Sequence, residues 1–234
     1  MTTDRRSFLS SASAVAGVVF VGCSGSPRSS ATAGPGKPAD KAGDDEVTPV
    51  EDLMREHGVL RRVMYLYDDA IARLDGRREL PLDALAAGAG IIRRVIEDYH
   101  EKLEEGFLFP RYEKAGKLVE LTAVLRRQHE RGRVVTDQIV ALAKAPLADA
   151  DRAGLAAALR SFNRMYRAHA AREDTVLFPA LRGLVSKHEY DELGEQFEDK
   201  ETQMLGDHGF EHAVDEVARL ERAFGLDDLA KLTA

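Results

Sequence analysis

Apolar residues recur at helical spacing in four successive stretches, each bounded by residues that start or stop a helix. The first opens on Thr48-Pro49-Val50-Glu51, a capping-box pair with proline at the first helical position. It carries Leu53, His57, Leu60, Met64, Tyr67 and Ile71 on one face until Asp75-Gly76 ends it. The second runs from about Asp83 toward Pro110, with Ile92, Ile96, His100, Leu103, Glu104 and Phe107 along one side. Proline has no amide N–H to continue the ladder, so a kink or break is expected there. The third, Lys117 to Lys144, lines up Leu121, Leu125, His129, Gly132, Val135 and Ile139, and Pro146 stops it. The fourth, from about Asp151 to Val176, lines up Leu155, Leu159, Phe162, Tyr166, His169, Glu173 and Val176. Four amphipathic helices joined by short connections predict an all-α antiparallel four-helix bundle over residues 47–180. Beyond it, Ser186-x-x-Glu189 offers another capping box, and a helix is expected from about Phe210 to Ala223 before Gly225. Residues 181–234 thus read as a helical extension laid against the bundle.

Composition narrows the chemistry. At 44% hydrophobic and 234 residues the chain can bury one sizeable core. The net charge is -7 and no basic stripe runs through the body, so the footprint of a nucleic-acid binder is missing. Cys23 is the one cysteine, which rules out a disulfide framework and a thiolate metal site. Any metal must sit on histidine and carboxylate.

The N-terminus reads as an address. Arg5-Arg6-Ser7-Phe8-Leu9, followed by an uncharged stretch from Ser10 to Gly22, resembles a twin-arginine (Tat) export signal over residues 1–23. Val19-Phe20-Val21-Gly22-Cys23 resembles a lipobox, which would tie the chain to the membrane through a lipidated Cys23; the other reading is plain cleavage after Ala31-Thr32-Ala33. Both place the domain outside the cytoplasm. Residues 24–46 are Ser, Gly, Pro, Ala and charge, the composition of a flexible tether.

On every one of the four stripes a histidine interrupts the apolar face, and on the second and fourth a glutamate follows one turn later. A glutamate facing a bundle core loses its hydration, a cost of several kcal/mol unless a cation or strong hydrogen-bonding partner replaces the water. At spacing i and i+4, His100 with Glu104 and His169 with Glu173 can each reach one metal cluster. The chain also repeats itself. His100-x-x-x-Glu104-Glu105-x-x-Leu108-Phe109-Pro110 recurs 69 residues later as His169-x-x-x-Glu173-Asp174-x-x-Leu177-Phe178-Pro179, and Arg55-Glu56-His57 recurs 72 residues later as Arg127-Gln128-His129. Two hairpins related by a pseudo-twofold axis would place one glutamate from each between two metals.

With these residues in view, the chain resembles the hemerythrin-like (HHE cation-binding) family. Its pattern falls on His57, His100, Glu104, His129, His169 and Glu173. The resemblance implies a non-haem di-iron site in which Glu104 and Glu173 bridge and the histidines are terminal ligands; manganese or zinc could occupy the same set. Oxygen-carrying hemerythrins have a second histidine one turn along the third helix, where this chain has Arg133. One iron would then lack a nitrogen donor, to be replaced by water, a tyrosine or another carboxylate. This favours sensing or turnover over oxygen storage.

Other polar residues read as surface. Glu105 and Asp174 fall off the stripe, and Arg93, Arg94, Arg126 and Arg127 read as solvated faces or ion pairs. His208 and His212 have chelating spacing but no further donors, and His188 lies beside a cap. Three functions follow: a protein that binds dioxygen, nitric oxide or peroxide to buffer or sense it, the favoured reading; a di-iron enzyme acting as catalase, peroxidase or ferroxidase; and a helical interaction domain with a structural metal.

Overall fold

A computed structural model describes residues 47–144 and 146–233. The twin-arginine stretch, Cys23 and the tether lie outside the described residues. Among those described there is no strand, and no helix is long and apolar enough to cross a membrane. The chain is all-α.

Helix α1 is Pro49–Asp75, and its capping box is complete: Thr48 N–H donates to Glu51 Oε2 at 2.9 Å and Glu51 N–H to Thr48 Oγ1 at 3.3 Å. The second helical rod, α2, covers residues 82–115 without a break. Expected to kink or end at Pro110, it instead widens. From Glu104 to Leu108 the backbone is π-helical, and the Phe109 N–H bonds to the Glu104 carbonyl five residues back. Pro110 then stands in the first turn of a fresh α segment, Phe109–Ala115, where a missing N–H costs nothing. A further π-helical stretch, Ile92–His100, lies upstream on the same rod.

Helix α3 is Val119–Leu142, starting after Leu118 rather than at Lys117 and ending before Lys144. Helix α4 covers residues 149–181, longer than expected at both ends. It repeats the device of α2: Glu173–Leu177 is π-helical, the Phe178 N–H bonds to the Glu173 carbonyl, and Pro179 opens the next α turn.

The extension is helical as expected. Helix α5 is Lys187–Leu205, with Ser186 Oγ accepting from the Glu189 N–H, and α6 is Gly209–Phe224. In the bundle α4 packs on α1 and α3, α2 lies against α1 and α3, and α6 covers α1 and α2.

The core has two parts. One, around Tyr67, Ile92, Ile139 and Phe162, includes Phe210, Val217 and Phe224 from α6. The other, around Leu53, Tyr112, Leu125 and Leu177, includes Leu193 and Phe197 from α5. Along α1 and α3 the histidines fall between residues of the two clusters, at His57 and His129. The polar layer lies between two apolar ones.

Candidate metal centre

The six predicted donors meet in that layer. His57, His100, His129, His169, Glu104 and Glu173 are each 3% exposed or less. One atom from each of Glu104, His129, His169 and Glu173 falls in a group no wider than 4.8 Å, and His57, His100 and Glu173 form a second such group. Glu173 belongs to both. Its Oε1 lies 3.0 Å from His169 Nε2, and its Oε2 lies 3.4 Å from His57 Nε2. Glu104 Oε2 likewise faces His129 Nε2 at 3.4 Å and His100 Nε2 at 3.7 Å. Each carboxylate therefore spans the two groups.

The outward nitrogens decide what the inward ones can do. His57 Nδ1 is 2.7 Å from Asp174 Oδ1, His100 Nδ1 2.7 Å from Glu56 Oε2, His129 Nδ1 3.1 Å from Glu105 Oε1, and His169 Nδ1 2.9 Å from Gln128 Oε1. All four partners are oxygen acceptors, so each Nδ1 carries the proton and donates it outward. The Nε2 lone pairs then point inward at carboxylate lone pairs, and at each other where His129 and His169 stand 3.1 Å apart. Neither oxygen of Glu104 or Glu173, nor His100 Nε2, has a hydrogen-bond partner among the described residues.

Acceptors facing acceptors in a dry layer repel unless a cation lies between them. Two donors held at right angles by one ion at about 2.1 Å are about 3.0 Å apart, close to the spacing here. The donor set therefore fits a pair of metal ions.

The titration of the layer reflects this crowding: against burial, Asp174 and Glu173 hold His57 above its ordinary value. Burial, reinforced by the charges of Glu173 and Glu101, pushes the Glu104 carboxyl well up. Glu173 is held low against burial by His169 and His57. Burial drives His100 well down and His129 down to about 4, which keeps both imidazoles in the neutral, ligating form.

The outer partners were not visible as such in the sequence. Glu105 and Asp174, read there as surface, are only 15% and 19% exposed and hold His129 and His57. Each acid is the second residue of its π turn, directly after a donor glutamate, and faces the lone histidine of the other hairpin. Arg61 pairs with Asp174, and Arg133 with Glu105 at 2.7 Å. Phe178 stacks on His57 at 5.5 Å and Phe109 on His129 at 5.6 Å.

These contacts repeat at the two offsets seen in the sequence, 72 residues for His57, Glu56 and Arg61, and 69 for Glu104, Glu105 and Phe109. The signal for Glu56, Gln128, Glu105, Asp174, Arg61 and Arg133 was present in the repeat.

Arg133 thus has a defined place. Its guanidinium bridges Glu105 and Glu101, each at 2.7 Å, and Tyr166 donates to Glu101 at 2.7 Å. The grouping of Glu101, Glu105 and His129 already contains this cation. Burial pushes Glu101 up to about 8. Arg93 pairs with the buried Glu97 and the exposed Asp137, while Arg94 pairs with Glu216 and Arg126 with Glu113 toward the outside. His188 is exposed beside Glu192. His208 and His212 are exposed and join no cluster of donors among the described residues.

The comparisons with known proteins point the same way. The family described as Hemerythrin HHE cation binding domain matches residues 48–181, the span that holds all six donors. Two relatives, uncharacterized protein Rv1995 of Mycobacterium tuberculosis and uncharacterized protein Mb2018 of Mycobacterium bovis, are each 46% identical over 98% of this chain and 90% of their own length. No solved structure matches significantly.

Proposed function

We propose that this chain, which belongs to the hemerythrin HHE cation-binding domain family, holds two iron ions on His57, His100, Glu104, His129, His169 and Glu173 and uses them to bind dioxygen, nitric oxide or peroxide. The observation that carries the reading is the convergence of four imidazole nitrogens and two carboxylates, all buried, into two groups that share Glu173. In this reading the four histidines and the two glutamates would hold the pair, with Glu173 within reach of both positions. Iron suits nitrogen and carboxylate donors, and manganese or zinc would fit the same set. When bound, the ion pair supplies redox-active, Lewis-acidic positions for a small ligand.

The chain's own residues do the rest. Asp174, Glu56, Glu105 and Gln128 fix the tautomer and orientation of the four imidazoles. Arg61 and Arg133 hold two of those carboxylates in place. The apolar clusters on either side keep bulk water out, which strengthens every charge interaction within the layer. The twin-arginine pattern at residues 5–6 supports placing this activity outside the cytoplasm.

Metal analysis of protein made without added metal, joined to anaerobic titrations with dioxygen and, separately, with nitric oxide, tests the proposal. Two irons per chain and a stable oxygenated or nitrosylated species are expected. His100→Ala should lose metal and stability together, because it strips a donor and leaves carboxylates buried; unaltered iron content in that variant would overturn the assignment. Rapid peroxide loss abolished by Glu104→Ala would make the protein an enzyme instead.

A further inference from the structure

Each of the four histidines has an oxygen partner behind it, and three of the four partners are carboxylates. Where Glu56 accepts the His100 Nδ1 proton at 2.7 Å, the corresponding residue, Gln128, accepts the His169 Nδ1 proton at 2.9 Å. A carboxylate behind an imidazole raises its strength as a ligand; a neutral amide does so less. At the other histidine of each pair both partners are carboxylates, Glu105 for His129 and Asp174 for His57. The neutral partner thus falls on the metal position of His129 and His169. We infer that the two positions are unequal, the one on His129 and His169 binding its ion more weakly than the one on His57 and His100, and that Gln128 sets the difference. The inference rests on the two-metal reading above.

Two features on the weaker side run the other way. Glu101 adds a carboxylate there, but its oxygens are taken by Tyr166 and Arg133. The donors on the His129 side are also drawn closer together, with His100 Nε2 standing 3.7 Å from Glu104 on the other side. A few tenths of an ångström is within the reach of a side-chain rotation when an ion binds, whereas no rotation turns an amide into a carboxylate.

The test is release of ferrous iron to a chelator under anaerobic conditions from protein loaded with two irons per chain. Two phases of equal amplitude are expected. Gln128→Glu should slow the fast phase about tenfold or more and bring the two together, and Glu56→Gln should speed the slow phase by a similar factor. The second variant removes a buried charge rather than adding one, so it tests the inference even where the first folds poorly. Two irons released in a single phase, or phases that neither variant moves, would overturn the inference and leave the metal centre standing. Failure to load iron at all would overturn both.

Discussion

A Cβ built on Gly132 would lie 1.9 Å from the Tyr166 hydroxyl oxygen and 2.7 Å from its Cζ. The phenol therefore fills the space of a missing side chain, and this lets its hydroxyl cross from α4 to Glu101 on α2. Gly132 precedes Arg133, whose guanidinium takes the other oxygen of Glu101. The two neighbours on α3 thus build one arrangement, the first by giving way and the second by supplying charge. Gly132→Ala should destabilise the fold by about 1–3 kcal/mol through overpacking. The loss should shrink when Tyr166→Phe removes the hydroxyl, a coupling that urea unfolding of the single and double variants would measure. Equal losses in both backgrounds would mean that the clash lies elsewhere.

The elements that the sequence revealed were those with regular periodicity. The stripe on α1 was readable from Leu53 to Tyr67 because every residue on it obeys the helical repeat, and His57 stood out against it. The same rule failed at Glu105 and Asp174. A reading that assumes a constant turn puts them off the buried face, whereas each lies in a π turn that shifts the phase by one residue. Pro110 marked an irregularity in α2, but a missing N–H cannot say whether a helix stops or widens, and the π stretch Ile92–His100 contains no proline to mark it. The extension is an element whose existence was legible and whose role was not. Phe210, Ala213, Val217 and Phe224 recur along α6 and lie in the same cluster as Tyr67 and Ile92, so α6 completes the core rather than lying over it. Phe224→Ala, at a position 3% exposed, should cost about 3–5 kcal/mol in unfolding free energy. It should leave two metals per chain at low temperature; loss of metal without loss of stability would contradict this separation of roles.

At the scale of the whole molecule the buried layer makes stability a function of pH, with opposing signs from its imidazoles and its acids. In protein stripped of metal, His129 has a folded pKa of about 4 against an ordinary 6.5, and His100 is shifted the same way. Through that window the unfolded chain takes up protons that the fold refuses, so these two groups stabilise as pH rises and destabilise as it falls. His57, held above its ordinary value by Asp174 and Glu173 against burial, acts oppositely. Glu101, raised from 4.5 to about 8, and Glu104, also pushed well up by burial, hold protons that the unfolded chain has released, so they lose stability as pH climbs. Glu105 and Asp174, held low by the histidines and arginines they serve, lose theirs only in stronger acid. The metal-free protein should therefore change little between about pH 4.5 and 6.5, where the terms offset, and weaken from there toward pH 8, where the raised acids and His57 all lose stability. Bound cations reverse the picture. They neutralise Glu104 and compete with protons for the imidazoles, so the alkaline decline should largely vanish and a steep acid loss should replace the plateau. Melting temperatures of both forms from pH 4 to 9 would show the crossing. Parallel profiles with and without metal would mean that these carboxylates and imidazoles do not share an ion.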